Sequence, residues 1–214
     1  EATYQNSERV IQEFQKYFKN ANTEQPKKFK TYIISNDNND NKIKDFLNLL
    51  DLNGIKYGRP VKPTQMMNKV FDYQSGKRKN IKGFDGDILI STQQDMSVLT
   101  QVLFEPQTTV SDILTYDITA WSLPYVYGLK AFATEKELAL QEYDTPIVRS
   151  PLGLLNSGYY GAIVQWGSVN ALTFLAELLK NKVVVRVAEK SFTHDGNIYE
   201  PGALFISPRG NEHL

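Results

Sequence analysis

Two hydrophobic periods alternate along this chain, and their alternation sets the expected order of elements. Val10, Ile11, Phe14, Tyr17 and Phe18 follow i, i+1, i+4, i+7, i+8 spacing, which predicts one apolar stripe on an amphipathic helix with Ser7 at its N-cap. Pro26 and the lysines beside it mark a linker. Phe29 to Ser35 reads as a short strand rich in Tyr and Ile. The polar run 36–41 then supplies a loop and cap for a helix that presents Ile43, Phe46, Leu47 and Leu50 on one face. Asn53-Gly54 stops that helix, since glycine accepts the left-handed conformation that ends a last turn. Ile55 to Tyr57 opens a second strand, and residues 59–82 form a looser excursion with the basic cluster Lys77-Arg78-Lys79. Gly86-Asp87-Ile88-Leu89-Ile90-Ser91 closes the half as a compact buried strand.

The second half runs through the same plan. A strand at Gly161 to Gln165 and a loop at Trp166-Gly167-Ser168 lead to a helix carrying Leu172, Phe174, Leu175, Leu178 and Leu179. Asn181 stops it, and Val183 to Val187 is the next strand. Asp195-Gly196 is a favoured hairpin dipeptide, so Phe192 is expected to pair with the Ile198-Tyr199 side of that turn. Gly202-Ala203-Leu204-Phe205-Ile206-Ser207 answers the closing strand of the first half. Phe46, Leu47, Leu50, Asn53 and Ile55 match Phe174, Leu175, Leu178, Asn181 and Val183 in register.

Two βαβ units joined in this way predict an α/β fold with an open, mostly parallel sheet and helices on both faces. The expected organisation is an N-terminal helix and linker over 1–25, followed by an α/β domain over 26–214. Within that domain the first unit spans 29–91, an aromatic-rich helical connector 95–133, and the second unit 159–207. The connector contains a helical stretch at Val98 to Phe104, ended by Glu105-Pro106. The run from Asp112 to Gly128 is dense in aromatics and poor in charge, a composition of buried or interface segments. Glu1 in place of Met, and a C-terminus at a turn, read as the ends of a piece of a longer protein.

Composition narrows the chemistry. Lys+Arg and Asp+Glu both count 24 in the 214 residues, so the chain has no general electrostatic attraction for nucleic acid or anionic membrane. No apolar run is long enough to span a bilayer. With no cysteine, disulfides, thiolate metal sites and cysteine nucleophiles are excluded.

Leu103-Phe104-Glu105-Pro106, Thr115 to Tyr125, and Tyr127-Gly128 together resemble a run in the C-terminal half of large bacterial zinc-carboxypeptidase-like proteins. Val187-Ala188-Glu189-Lys190 and Phe192 through Gly202 resemble the same region further along, so the similarity covers most of the chain from about Phe29 onward. The resemblance implies a secreted or periplasmic parent with an upstream zinc metallocarboxypeptidase domain. It also implies that this chain is a downstream domain of flavodoxin-like, class I glutamine-amidotransferase-like fold. Neither chemistry transfers to these residues. The amidotransferase nucleophile is a cysteine, which is absent. Carboxypeptidases supply two zinc ligands from a His-x-x-Glu pair, and neither His194 nor His213 has Glu three residues on. No catalytic or metal residue is therefore assigned here, and zinc is expected only in the upstream domain.

Other motifs reduce to structure. His194-Asp195 lies in a predicted hairpin tip, and no Gly-x-Ser-x-Gly nucleophile elbow occurs. Asp37-x-Asn39-x-Asn41 opens like a calcium loop, but Lys42 and Asn48 stand where glycine and glutamate are needed. Gly153, Gly158 and Gly161 precede a strand and lack dinucleotide-fingerprint spacing. Asp117, Thr119, Trp121, Tyr125 and Tyr127 remain as candidate ligand-binding residues, because aromatic rings beside a carboxylate suit a peptide or carbohydrate. The alternative for the same segment is packing in the core or at a domain interface. The expected function is a non-catalytic accessory domain that packs against the peptidase domain and shapes access to its cleft. An independent peptide- or carbohydrate-binding module using 116–127 is the second reading.

Overall fold

The computed structural model describes residues 2–23, 28–62, 66–83, 86–107, 122–143 and 160–212. Helices α1 (Ala2–Gln5) and α2 (Ser7–Thr23) precede β1 (Thr31–Ile34), α3 (Asp40–Leu52) and β2 (Gly58–Pro60). A hairpin of β3 (Met66–Asp72) and β4 (Lys77–Lys82) leads to β5 (Ile88–Ser91), α4 (Ser97–Phe104), α5 (Leu123–Val126), β6 (Ala131–Thr134) and β7 (Leu140–Glu142). Then come β8 (Ala162–Val164), α6 (Val169–Lys180), β9 (Val185–Val187), a hairpin of β10 (Phe192–His194) and β11 (Asn197–Tyr199), and β12 (Leu204–Ile206). By contacts the chain divides into unit 1, Glu1–Asn38 with Phe46–Ile147, and unit 2, Asn39–Asp45 with Val148–Leu214.

The expected open parallel sheet does not form. Unit 1 holds a seven-stranded sheet in the order β4-β3-β6-β1-β5-β2-β7, and every neighbouring pair is antiparallel. Unit 2 holds a three-stranded antiparallel sheet, β8-β12-β9, beside the β10-β11 hairpin. The flavodoxin-like, amidotransferase-like architecture implied by the resemblance is thereby overturned. The reason is the same in both halves. β1 and β2 are each antiparallel to β5, so they run in one direction, as a βαβ connection requires, yet β5 occupies the place between them. β12 likewise separates β8 from β9. Each half is a split βαβ motif in which the returning strand fills the gap.

The repeat read from the sequence is thus a repeat of fold. In both motifs the excursion before the last strand is an antiparallel hairpin, β3-β4 in one and β10-β11 in the other. Both helices end alike: the Asn53 amide donates to the Leu49 carbonyl and the Asn181 amide to the Glu177 carbonyl, each at 2.8 Å. Ile55 N–H bonds back to Leu50 O and Val183 N–H to Leu178 O, both at 2.9 Å, across a left-handed residue, Gly54 or Lys182.

A buried side-chain amide then clasps each motif. Gln94 accepts from Lys56 N–H at 2.7 Å and donates to the Lys56 carbonyl at 3.1 Å and the Ser91 carbonyl at 2.6 Å. Asn211 accepts from Val184 N–H at 2.7 Å and donates to the Val184 carbonyl at 2.9 Å and the Ser207 carbonyl at 2.8 Å. Each amide satisfies backbone groups just before the second strand and at the end of the last.

In unit 1 the all-apolar or small strands β1 and β6 are buried along their whole length, which fits strands covered on both faces. Ile33, Leu89 and Phe132 are register neighbours and cluster with Met67 and Val70 on one face. On the other face Tyr32 stacks on Phe104 at 5.0 Å, and Phe46 meets the edge of Phe104 at 5.9 Å. The Tyr73 hydroxyl donates to the Phe104 carbonyl, and burial, followed by the nearby Tyr32 and Tyr125 rings, holds that phenol well above its ordinary pKa.

Candidate functional site

Asp117, Thr119 and Trp121 lie outside the described residues. Tyr125 and Tyr127 stand at α5, whose first turn contains Pro124 and whose end is tightened by Tyr127 N–H to Leu123 O at 2.9 Å. The two rings are two residues apart on one turn and serve different neighbours. Tyr127 packs edge-on against Phe46 at 5.7 Å. Tyr125 meets Tyr73 at 5.2 Å and keeps 48% of its surface exposed. Burial, with the Asp72 carboxylate as the second cause, raises the Tyr125 pKa.

The other polar candidates are engaged in local structure. Asn39 Oδ1 accepts from Asn41 N–H at 3.0 Å as an Asx turn opening α3. Asn38 bridges the Ser35 and Lys130 backbones, and Asp37 pairs with Lys130. Of the basic cluster, Arg78 pairs with Glu135, and Lys79 pairs with buried Asp72 at 3.0 Å while lying over the Phe132 ring at 5.0 Å. His194 Nε2 is 3.4 Å from Asp195 Oδ2 at the β10-β11 tip, with both side chains exposed. Asp195 and Gly196 both take positive φ there, 48° and 76°, the geometry that a two-residue hairpin turn demands. Among the described residues no three His, Cys, Asp or Glu side chains come together to hold a metal ion.

Asp72 carries a pH dependence. Burial pushes its carboxyl up, but hydrogen bonds from Ser75, Lys79 and the Gln74 N–H, with the Lys79 charge, outweigh this and hold it below the ordinary value. A depressed folded-state pKa contributes stability that is present above the unfolded value of about 4 and disappears as pH falls through the folded value. Unit 1 therefore loses stability in acid below about pH 4. Asp72→Asn is expected to lower stability at pH 7 and to flatten that acid dependence, as read by urea unfolding at pH 7, 4 and 3. An unchanged acid slope in the variant would place the loss elsewhere.

Unit 1 also contains a cavity of about 160 Å³ over the Ile33–Leu89 face, floored by Ile33, Met67 and Leu89 and rimmed by Lys62, Asp87 and Glu137. A shallower polar cleft of about 280 Å³ shares the 137–139 segment with it. Neither is lined by Tyr125. The first is smaller than the usual few hundred Å³ of a small-molecule site.

The most distinctive surface lies on α6, where no single residue type in the sequence flags it. Ala171, Phe174, Leu175 and Leu178 stand at the positions of the buried Ile43, Phe46, Leu47 and Leu50 of α3, but of these four only Ala171 is fully buried. One flank of that stripe carries Asn41, Lys44, Asn48 and Asp51 in α3, all polar, although Leu52 elsewhere on the helix is 77% exposed. In α6 the same flank carries Val169, Leu172, Ala176 and Leu179, with Leu172 55% and Leu179 59% exposed. Comparing the two helices along this flank would have revealed this; matching only the stripe does not. Exposed Phe174, Val184 and Val187 extend the apolar character of unit 2.

No family model, no curated protein and no solved structure matches the chain. No described helix is long and apolar enough to cross a membrane.

Proposed function

We propose that this chain is a non-catalytic docking domain of a secreted or periplasmic zinc-carboxypeptidase-like protein. On this reading the apolar flank of α6 is its contact with the peptidase domain. One observation carries the proposal: at equivalent positions of a repeated motif, one flank of the first helix carries Asn41, Lys44, Asn48 and Asp51 and the same flank of the second carries Val169, Leu172, Ala176 and Leu179, three of them well exposed. An apolar stripe widened by a second row is suited to burial against a second partner. Apolar surface of this kind is typical of interaction sites. The attribution to a carboxypeptidase-like parent rests on the sequence resemblance at 103–128 and 187–202.

The half-exposed ring of Tyr125 favours the second reading, a peptide- or carbohydrate-binding module, because an aromatic face open to solvent stacks on such ligands. Release of C-terminal residues from a peptide panel, with zinc present, separates the readings. The chain alone is expected to be inactive and the parent protein active. Leu172→Glu with Leu179→Glu should leave this chain's stability within about 0.5 kcal/mol, as exposed substitutions do, while loosening its association with the peptidase domain. Peptide release by the chain alone would overturn the proposal, as would an unchanged association in the double variant.

A further inference from the structure

We propose that the outer edge of β4 is a docking site for an acidic segment in extended conformation, which joins the sheet of unit 1 as an added strand. β4 ends the order β4-β3-β6-β1-β5-β2-β7, and among the described residues β3 is its only strand neighbour. Native sheets blunt such an edge with brevity, proline, a bulge or charge. β4 has six residues and no proline, and the register shift of this hairpin lies in β3, between Met67 and Val70. Charge is the device that remains.

Register shows which backbone groups the edge offers. Tyr73 N–H bonds to Ala131 O at 3.2 Å, continuing the Phe71–Ala133 register. Residues of β3 in step with Tyr73 therefore bond to β6, and Asp72 and Val70 bond to Lys77 and Lys79. The alternate groups of β4, at Arg78, Asn80 and Lys82, point away from the sheet.

Charge selects the occupant. Lys77, Arg78, Lys79 and Lys82 are four cations in a strand with no acid, in a chain of zero net charge. Alternation places Arg78 and Lys82 on the side of the Phe29 ring, and Lys77 and Lys79 on the side of the Phe132 ring. Arg78 pairs with Glu135 and Lys79 with Asp72, whereas among the described residues no carboxylate pairs with Lys77 or Lys82. A second copy is a poor occupant. Two-fold pairing of β4 with itself sets Lys79 against Lys79, or Arg78 against Lys82. An acidic strand meets cations on both faces, and its backbone both donates to and accepts from the open row. Nucleic acid meets the cations but offers that row no matching ladder.

The test is fluorescence anisotropy of the full chain with a fluorescein-labelled peptide, Glu-Val-Glu-Val-Glu-Val. Saturable binding is expected, with a dissociation constant below about 1 mM. The same peptide with proline for its middle valine, which cannot donate to the ladder, should bind about tenfold more weakly or worse. Lys77→Glu with Lys82→Glu should weaken binding by about tenfold or more, with an unchanged far-ultraviolet spectrum. Amide exchange at Arg78, Asn80 and Lys82 should slow in the complex, which charge attraction alone would not produce. Leu172→Glu with Leu179→Glu should bind the peptide like the parent chain, so the outcome is independent of the α6 reading. No binding, equal binding of the proline peptide, or unchanged binding by the lysine double variant would overturn the proposal. So would exchange that slows outside β4 alone, or tighter binding of single-stranded oligothymidylate than of the peptide.

Discussion

Gln94→Leu is expected to destabilise unit 1 by about 3 kcal/mol, the cost of leaving several buried backbone groups unpaired. The amide is 8% exposed and makes three hydrogen bonds, two to Lys56 and one to Ser91. Leucine of similar volume fills the space and restores none of them. The N–H and carbonyl of Lys56 and the carbonyl of Ser91 would then have to find water or strain the ends of β2 and β5. A chain with two compact units need not unfold in one step, so a single melting temperature is a poor readout. Amide hydrogen exchange reads the units separately. Gln94→Leu should lower protection in β1 and β5 and spare β8 and β12. Asn211→Leu, which removes the equivalent clasp in unit 2, should do the reverse. Equal losses in both units from either variant would mean that the clasps do not act locally.

The second large effect separates two residues that occupy one position in the repeat. Phe46 is fully buried, packed against Phe104 and Tyr127, so Phe46→Ala should cost about 3–5 kcal/mol through lost transfer energy and the cavity left behind. Phe174 keeps 43% of its surface exposed, and Phe174→Ala should cost about 1 kcal/mol. Urea unfolding of the two variants, with hydrogen exchange measured at α3 and α6, gives the comparison. If Phe174→Ala were as costly as Phe46→Ala, the second helix would be covered in solution, and α6 could not serve as a docking face in the free chain.

In unit 1 the first motif is covered by segments that follow it in the chain. Beyond β5 the chain supplies α4 and α5, which bring Phe104 and Tyr127 onto Phe46, and then β6 and β7, which pair with the outer edges of β1 and β2. In unit 2 Phe174, at the position of Phe46, keeps 43% of its surface exposed. A repeated motif thus has two fates, a core in unit 1 and an exposed apolar surface in unit 2, and the proposed docking role rests on that asymmetry.

The sequence alone determined the local elements and their repetition. Period and stop signals placed α3 and α6, Asn53-Gly54 and Asn181 at their ends, and the hairpin around Asp195-Gly196, because each depends on residues within a turn or two of one another. They did not reveal the β3-β4 hairpin, where 66–82 is largely polar and its stabilising partners, Ala133 and Phe132, are some sixty residues away. They also did not reveal which strands are neighbours. A βαβ connection fixes that its two strands run the same way, and it leaves open whether they touch or stand one strand apart. Only the tertiary structure decided that β5 and β12 fill those gaps, turning an expected parallel sheet into two antiparallel ones. The choice rests on burying the Ile88–Ile90 and Leu204 side chains between flanking strands and on the amide clasps of Gln94 and Asn211, contacts that join residues far apart in the chain. Side-chain burial and pairing over such separations leave little mark on local periodicity, so neighbour order was settled by packing.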